Sequence, residues 1–265
     1  MSESEFQRGV LPAAEVAKIL NAARVPNILF GWKLTSLSLI LETAVRALID
    51  NGFNYCDDAQ CVELKLHRWW KRFEQNTPYP VTDIAALCAW NNVHEKADAH
   101  FHIKEKQFPG PKFTVVSLFK QSRVLWSLPT LTLDPVAPDD PTFILTNDTA
   151  RLPPLTADRV KSPSGPWTDV SPVKTLTNTA LVEAVLWLVL RCLRYKNHDI
   201  ENYWHRMFHW LFLASIEGER QRALRDTLKP EFEPLIDKYQ DESKAETPTE
   251  YLKRLLPQLI AKGKV

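Results

Sequence analysis

The chain has 265 residues, of which 45% are hydrophobic and 25% charged, and its formal net charge is +1. This composition is typical of a globular protein, and it gives no electrostatic reason to expect nucleic acid or an anionic membrane as a partner. A glycine-rich phosphate loop is excluded, because neither G-x-x-x-x-G-K-[ST] nor G-x-G-x-x-G occurs among the seven glycines. The balanced net charge does not exclude a basic patch on one part of the protein surface.

The N-terminal residues, Met1 to Glu5, are polar and acidic and do not form a signal peptide. An extracellular disulfide framework is therefore not expected from the four cysteines. The most apolar segment, 180–193, is interrupted by Glu183 and Arg191 and is too short to span a bilayer. We therefore expect a soluble cytoplasmic or nuclear protein that is not secreted and has no transmembrane segment.

The first half of the chain has the pattern of a small mixed sheet with flanking helices. Helical spacing of apolar residues predicts a helix that begins at Pro12 and ends near Arg24, and a second from Leu41 to Ile49 that Asn51-Gly52 stops. Apolar or alternating runs predict strands at 28–30, 53–56, 99–103 and 113–119, the last two as a hairpin. A short helix is expected at 83–89.

The second half is proline-rich and then helical. Eight prolines between 134 and 172 predict a long ordered wrap or a linker with one strand at 143–145. Helices are expected at 179–195, 199–214 and 217–228, and a capping box starts a final helix at Thr247. Strands early and helices late indicate an α+β fold. The expected parts are an α/β part (1–133), a Pro-rich connecting segment (134–175) and a C-terminal helical bundle (176–265), which can also form one compact unit.

Six short stretches occur in order within residues 12–195: VPNILFGW at 25–32, NGFNYCDDAQC at 51–61, AHFH at 99–102, LWSLP at 125–129, LPP at 152–154, and GPW at 165–167 leading to PVK at 172–174. In this order they resemble a group of uncharacterised fungal proteins with a nucleotidyltransferase-like fold. Active members of that superfamily hold divalent metal with clustered carboxylates, and a strand with an Asp-x-Asp motif carries part of this cluster. The resemblance thus implies a reduced fold of this type.

The chain departs from the active pattern at the catalytic position. Gly31 is followed by Trp32 instead of Ser or Gly, and no Asp or Glu lies between Val16 and Leu41. The nine residues from 32 to 40 cannot hold both a helix and a carboxylate-bearing strand. We therefore expect no nucleotidyl transfer, and a catalytically inactive protein that binds a ligand or a protein partner. A gene-model error that removed residues between Trp32 and Leu41 would produce the same sequence.

Cys56, Cys61, His100 and His102 form the sharpest candidate metal site. Residues two apart on a strand share a face, so both imidazoles can point at one ion, and two thiolates with two imidazoles suit tetrahedral zinc. The alternative is a set of ordinary cysteines with a hydrogen-bonded histidine pair. A third interpretation is an enzyme of another class, in which one of the cysteines is a nucleophile activated by one of the histidines.

Three further patterns have competing interpretations. The run KLHRWWKR at 65–72 can stack on bases and bind phosphate, but it also fits a surface helix with snorkelling side chains. His205 and His209 have helical metal-ligand spacing without the H-E-x-x-H glutamate, which favours hydrogen-bonded histidines. The C-terminal helices can form a protein-interaction module. The residues do not indicate a substrate or an oligomeric state.

Overall fold

The computed structural model describes residues 4–30, 33–35, 41–57, 97–102, 115–152, 166–195, 204–205, 207–209, 211, 224–240 and 246–265. The protein divides into two compact units, Met1–Leu176 and Thr177–Val265. The first unit contains all the strands among the described residues, and the second is helical. The α+β class is therefore confirmed, whereas the three-part division stays a prediction.

The helices of the first unit are α1 (Ser4–Ala22), α2 (Leu41–Asp50) and the single turn α3 (Gln121–Val124). The predicted start of α1 is wrong, since the helix begins before Pro12 and contains it. Proline removes one backbone donor inside a helix, and this loss is offset here by the burial of Val16 and Leu20 on the same helix. The predicted end of α1 and both predicted bounds of α2 agree with the structure.

Among the described residues, seven short strands form two sheets. They are β1 (Ile28–Phe30), β2 (Lys33–Thr35), β3 (Asn54–Tyr55), β4 (Ala99–His102), β5 (Val115–Leu118), β6 (Phe143–Leu145) and β7 (Lys174–Leu176). The first sheet has the order β2-β1-β7-β6 and is mixed, because β1 runs parallel to β7 and the other pairs are antiparallel. The second sheet, β3-β4-β5, is antiparallel throughout and includes the predicted hairpin.

Two strands have no counterpart in the sequence prediction. β2 lies in the interval 32–40, where a carboxylate-bearing strand is predicted to be missing, and its residues Lys33-Leu34-Thr35 include no acid. β7 lies at the end of the Pro-rich segment and pairs with β6 from the same segment. The described residues of this segment thus contribute to the first sheet through β6 and β7, and the role of the segment as a whole stays a prediction.

Aspartate side chains fix the turns of the Pro-rich segment. Asp140 Oδ1 accepts hydrogen bonds from the backbone N–H groups of Thr142 and Phe143, both at 2.8 Å. Asp148 accepts from Arg151 Nε at 2.7 Å, and Arg151 Nη1 donates to the Asp140 carbonyl at 2.9 Å. These carboxylates accept hydrogen bonds from N–H groups in the turns, so the described part of the segment is ordered without a helix.

The core of the first unit lies between α1, α2 and one face of the second sheet. Phe101 at the centre of β4 is 0% exposed, and its ring meets Phe53 edge-on at a centroid distance of 6.5 Å. Val116 and Leu118 of β5 face the same core. Because side chains alternate across a strand, this packing turns the even-numbered residues of β4, His100 and His102, to the opposite face.

The second unit is built on α4 (Asn178–Tyr195), whose side chains are buried along most of its length. α5 (Pro234–Gln240) was not predicted, whereas α6 (Pro248–Ala261) begins with the predicted capping box. Glu250 N–H donates to Thr247 Oγ1, and Thr247 N–H donates back to Glu250 Oε2 at 2.7 Å. Within the predicted helices 199–214 and 217–228, the described positions 204–205, 207–209, 211 and 224–227 are helical, and the last position, Leu228, is a bend. Among the described helices, none has the length and apolarity to cross a membrane.

Candidate metal centre

The turn that ends α2 places β3 beside β4. Phe53 N–H donates to the Leu48 carbonyl at 3.0 Å and Gly52 N–H to the Ile49 carbonyl at 2.9 Å, which is a Schellman motif. Gly52 has a φ of 84°, a conformation that costs glycine little and other residues more. The chain therefore reverses at Gly52, buries Phe53 and continues directly into β3.

The pairing of β3 with β4 brings the three described members of the predicted metal set onto one face. Asn54 pairs with His102 and Tyr55 with Phe101. Cys56 N–H donates to the His100 carbonyl at 3.1 Å, which extends the ladder by one residue. Cys56 therefore lies opposite His100 and diagonally from His102, on the face that points away from the Phe101 core.

The candidate ligand atoms converge. Cys56, His100 and His102 each offer one atom, and these three atoms all lie within 4.8 Å of one another. The two imidazole rings have centroids 5.5 Å apart and are inclined at 60°. His100 is 3% exposed, whereas Cys56 and His102 are partly exposed. One residue of the cluster, His100, is thus buried, and the other two are partly exposed.

The dimensions suit a small tetrahedral ion after a modest contraction. Zinc binds sulfur at about 2.3 Å and imidazole nitrogen at about 2.0–2.1 Å, which sets tetrahedral ligand atoms roughly 3.3–3.6 Å apart. Side-chain rotation that shortens each pair distance by up to about 1.5 Å would reach this geometry. The backbone register already provides the arrangement, so the strands need not change their pairing.

Cys61, the fourth predicted ligand, lies outside the described residues, and its part in the site stays a prediction. The same holds for the basic aromatic run at 65–72 and the predicted helix at 83–89. Within the described ranges, Cys56 with His100 and His102 is the single group of three or more ligand-type side chains that could hold an ion. The nearby acid Asp98 instead accepts from Lys120 N–H at 2.8 Å and pairs with Arg123 at 3.2 Å.

The thiol interpretation uses the same geometry. Cys56 Sγ and a ring nitrogen of His100 lie within 4.8 Å of each other, whereas a thiol and its activating base need a separation of about 2.6–3.2 Å. A nucleophile of this kind also needs an orienting group and an oxyanion hole. The sequence singled out no residue for either role, although β5 places Ser117 opposite His100 on the far side from Cys56.

The helical histidines are not brought together as ligands. His205 Nε2 forms a hydrogen bond of 2.7 Å with Thr249 Oγ1, and the exposed His209 contacts the ring of Tyr239 at a centroid distance of 5.7 Å. Burial raises the pKa of Tyr239, which therefore keeps its proton. The expected hydrogen-bonded histidine is thus confirmed at His205. Trp187 and Trp204 are buried, as expected of core residues.

Relatives do not add to this picture. Comparisons with protein-family models, with curated proteins and with solved structures give no match to the chain. The resemblance to fungal nucleotidyltransferase-like proteins therefore stays a prediction. We accordingly base the function on the residues of the site itself.

Proposed function

We propose that this protein binds a single zinc ion through Cys56 Sγ and one imidazole nitrogen each from His100 and His102. One observation supports the proposal above all others: the three ligand atoms lie within 4.8 Å of one another on a single face of the second sheet. A thiolate and two imidazoles are the donors that zinc prefers, and a protein or solvent ligand completes the tetrahedron. Cys61 is the predicted protein candidate for that position.

The ion has a structural role in this proposal. In the part of the second sheet that the structure describes, β3 is an edge strand of two residues, and Cys56 follows it directly. The ligands lie on either side of the sequence interval from 57 to 99, so one ion fixes both ends of that interval. Because the unfolded chain does not hold the ligands together, the free energy of metal binding adds to the stability of the folded sheet.

Cobalt(II) titration of the metal-stripped full chain tests the proposal. Tetrahedral cobalt bound to thiolate gives a charge-transfer band and intense visible bands, and we expect both to saturate at one equivalent. Cys56→Ala should weaken binding and remove the Cys56 contribution to the thiolate band, and His100→Ala should weaken binding by at least about tenfold. Cys192→Ala on α4 and His209→Ala are matched controls that should leave the titration unchanged, since both residues belong to the second unit.

Two results would count against the zinc proposal. One is a wild-type titration without a thiolate band, combined with no protein-bound zinc by elemental analysis after expression in zinc-containing medium. The other is a Cys56→Ala variant that retains the full spectrum. Cys61→Ala forms a separate arm: loss of tetrahedral bands would assign Cys61 as the fourth ligand, and unchanged bands would assign solvent or another residue.

A second candidate function is a nucleotidyltransferase-like protein without transfer activity. It is supported by β2, which follows β1 after two residues and carries no carboxylate at the position where active members hold divalent metal. In this proposal the protein binds a ligand or a protein partner, and the zinc site stabilises the sheet beside it. Incubation with magnesium and labelled nucleoside triphosphates should give no incorporation, and robust transfer would refute it.

A further inference from the structure

A serine on β5 stands beside the buried histidine of the cluster. The β4–β5 register pairs His100 with Ser117 and His102 with Val115. Residues directly opposite in an antiparallel pair lie on the same face, with Cβ atoms about 4.5–5.5 Å apart. One row across the sheet therefore runs from Cys56, directly after β3, through His100 on β4 to Ser117 on β5, with His100 in the middle.

The His100 imidazole has a different chemical group on each side in this row. Towards β3 lies the Cys56 thiol, which is a metal ligand in the proposed site. Towards β5 lies the hydroxyl of Ser117, a half-buried residue. An imidazole that binds metal through one nitrogen donates its other N–H to an acceptor, and that bond fixes the tautomer and the ring orientation. A hydroxyl accepts such a bond and can rotate to suit it.

We infer that Ser117 is a positioning residue, whose hydroxyl accepts a hydrogen bond from the second ring nitrogen of His100 when the first binds the metal. This inference rests on the proposed zinc function and adds a residue from a third strand to the site. His100 is 3% exposed, so bulk water replaces the serine hydroxyl poorly. Asn54, which lies opposite His102, differs from Ser117 because it is exposed, so water can take the place of its side chain.

The test compares two β-branched residues of similar shape at position 117. Ser117→Thr retains the hydroxyl and Ser117→Val removes it, and both residues favour strands. We expect cobalt(II) affinity, measured by competition with a chelator, to fall about 10–100-fold in Ser117→Val and to stay within about threefold of wild type in Ser117→Thr. The positions of the cobalt bands should not move in either variant, because the ligand set is the same.

Controls separate positioning from folding. Ser122→Ala changes an exposed serine on α3 and should leave the affinity unchanged. Urea unfolding of the metal-stripped variants should show equal stability for Ser117→Thr and Ser117→Val within about 1 kcal/mol. Asn54→Ala should lower affinity by less than about tenfold.

The possible failures are distinguishable. If wild type binds no cobalt, the zinc proposal fails and the role of Ser117 fails with it. If wild type binds cobalt and Ser117→Val binds within about threefold of it, only the positioning role is refuted. Equal weakening by Thr and Val would also refute that role, since the hydroxyl would then make no difference.

Discussion

Zinc should slow hydrogen exchange at the β3–β4 junction far more than elsewhere. The reporter is the backbone amide of Cys56, which donates to the His100 carbonyl at 3.1 Å and so joins the two ligand-bearing segments directly. Any opening that breaks this bond by moving β3 away from β4 also separates Cys56 from the two histidines. Such an opening must therefore release the ion.

The size of the effect follows from linkage. A ligand at 100 times its Kd stabilises the form that binds it by about 2.7 kcal/mol relative to one that does not. If exchange follows the open population, the protection of Cys56 N–H should rise about 100-fold. At ten times Kd the rise should be about tenfold, so the dependence on free zinc is itself a prediction.

Hydrogen exchange with mass spectrometry, with and without zinc, provides the measurement. Peptides covering 53–57 and 98–102 should gain protection, while those from α4 in the second unit should not, including the amide of Leu181 that donates to the Thr177 carbonyl at 2.9 Å. Cys56→Ala should remove the gain. The reasoning is refuted if zinc binds at one equivalent and protection at the junction stays the same, or if α4 gains as much.

Two further predictions concern the second unit. Glu183, whose side chain is 8% exposed, accepts from Lys229 N–H at 2.8 Å and pairs with the Lys229 ammonium, which is 41% exposed. Lys229→Met should lower the free energy of unfolding in urea by about 1–3 kcal/mol, because it leaves a buried carboxylate without its cation. Glu183→Gln should lower it less, because the amide oxygen of glutamine still accepts the Lys229 N–H. The reverse order of the two variants would contradict this account. Glu246 has a pKa lowered from 4.5 to about 2, first by its hydrogen bond from Arg254 and, against the effect of burial, also by Lys238. The ionised Glu246 therefore stabilises the fold fully above pH 4.5, and this contribution is lost as the pH falls towards 2. In Arg254→Met the free energy of unfolding should change less with pH over that range. The same pH dependence in the variant and the wild type would contradict this prediction.

Local sequence signals predicted the elements that depend on local chemistry. The capping box of α6 satisfies its own backbone donors, and Gly52 supplies the positive φ that ends α2, so both ends could be located without knowing the fold. Alternation likewise located β4, and a β-branched apolar run located β5. β2 (KLT) and β7 (KTL) could not be predicted, because they lack the wholly apolar run that marks β1 and β6. The partners of β7 are also remote in sequence, since the Thr175 side chain meets Leu29 across 146 residues.

Three members of the predicted metal set, Cys56, His100 and His102, lie together in the structure, and the sequence predicted part of their arrangement. The period of two placed His100 and His102 on one face. Phe53 and Phe101 both had to face the core, which sends Cys56 and His100 to the other side together. The β3–β4 and β4–β5 registers are set by tertiary packing, so nothing in the sequence indicated that Ser117 stands opposite His100. The start of α1 was missed because packing of the helix outweighs the local cost of Pro12.

The parallel pairing of β1 with β7 has a consequence for synthesis on the ribosome. Leu29 emerges early, but Thr175, its register partner, follows 146 residues later. At a synthesis rate of about 5–20 residues per second, Thr175 is added roughly 7–30 s after Leu29. Until Thr175 is made, the edge of β1 that pairs with β7 lacks its partner strand, so this half of the first sheet is completed only late in synthesis.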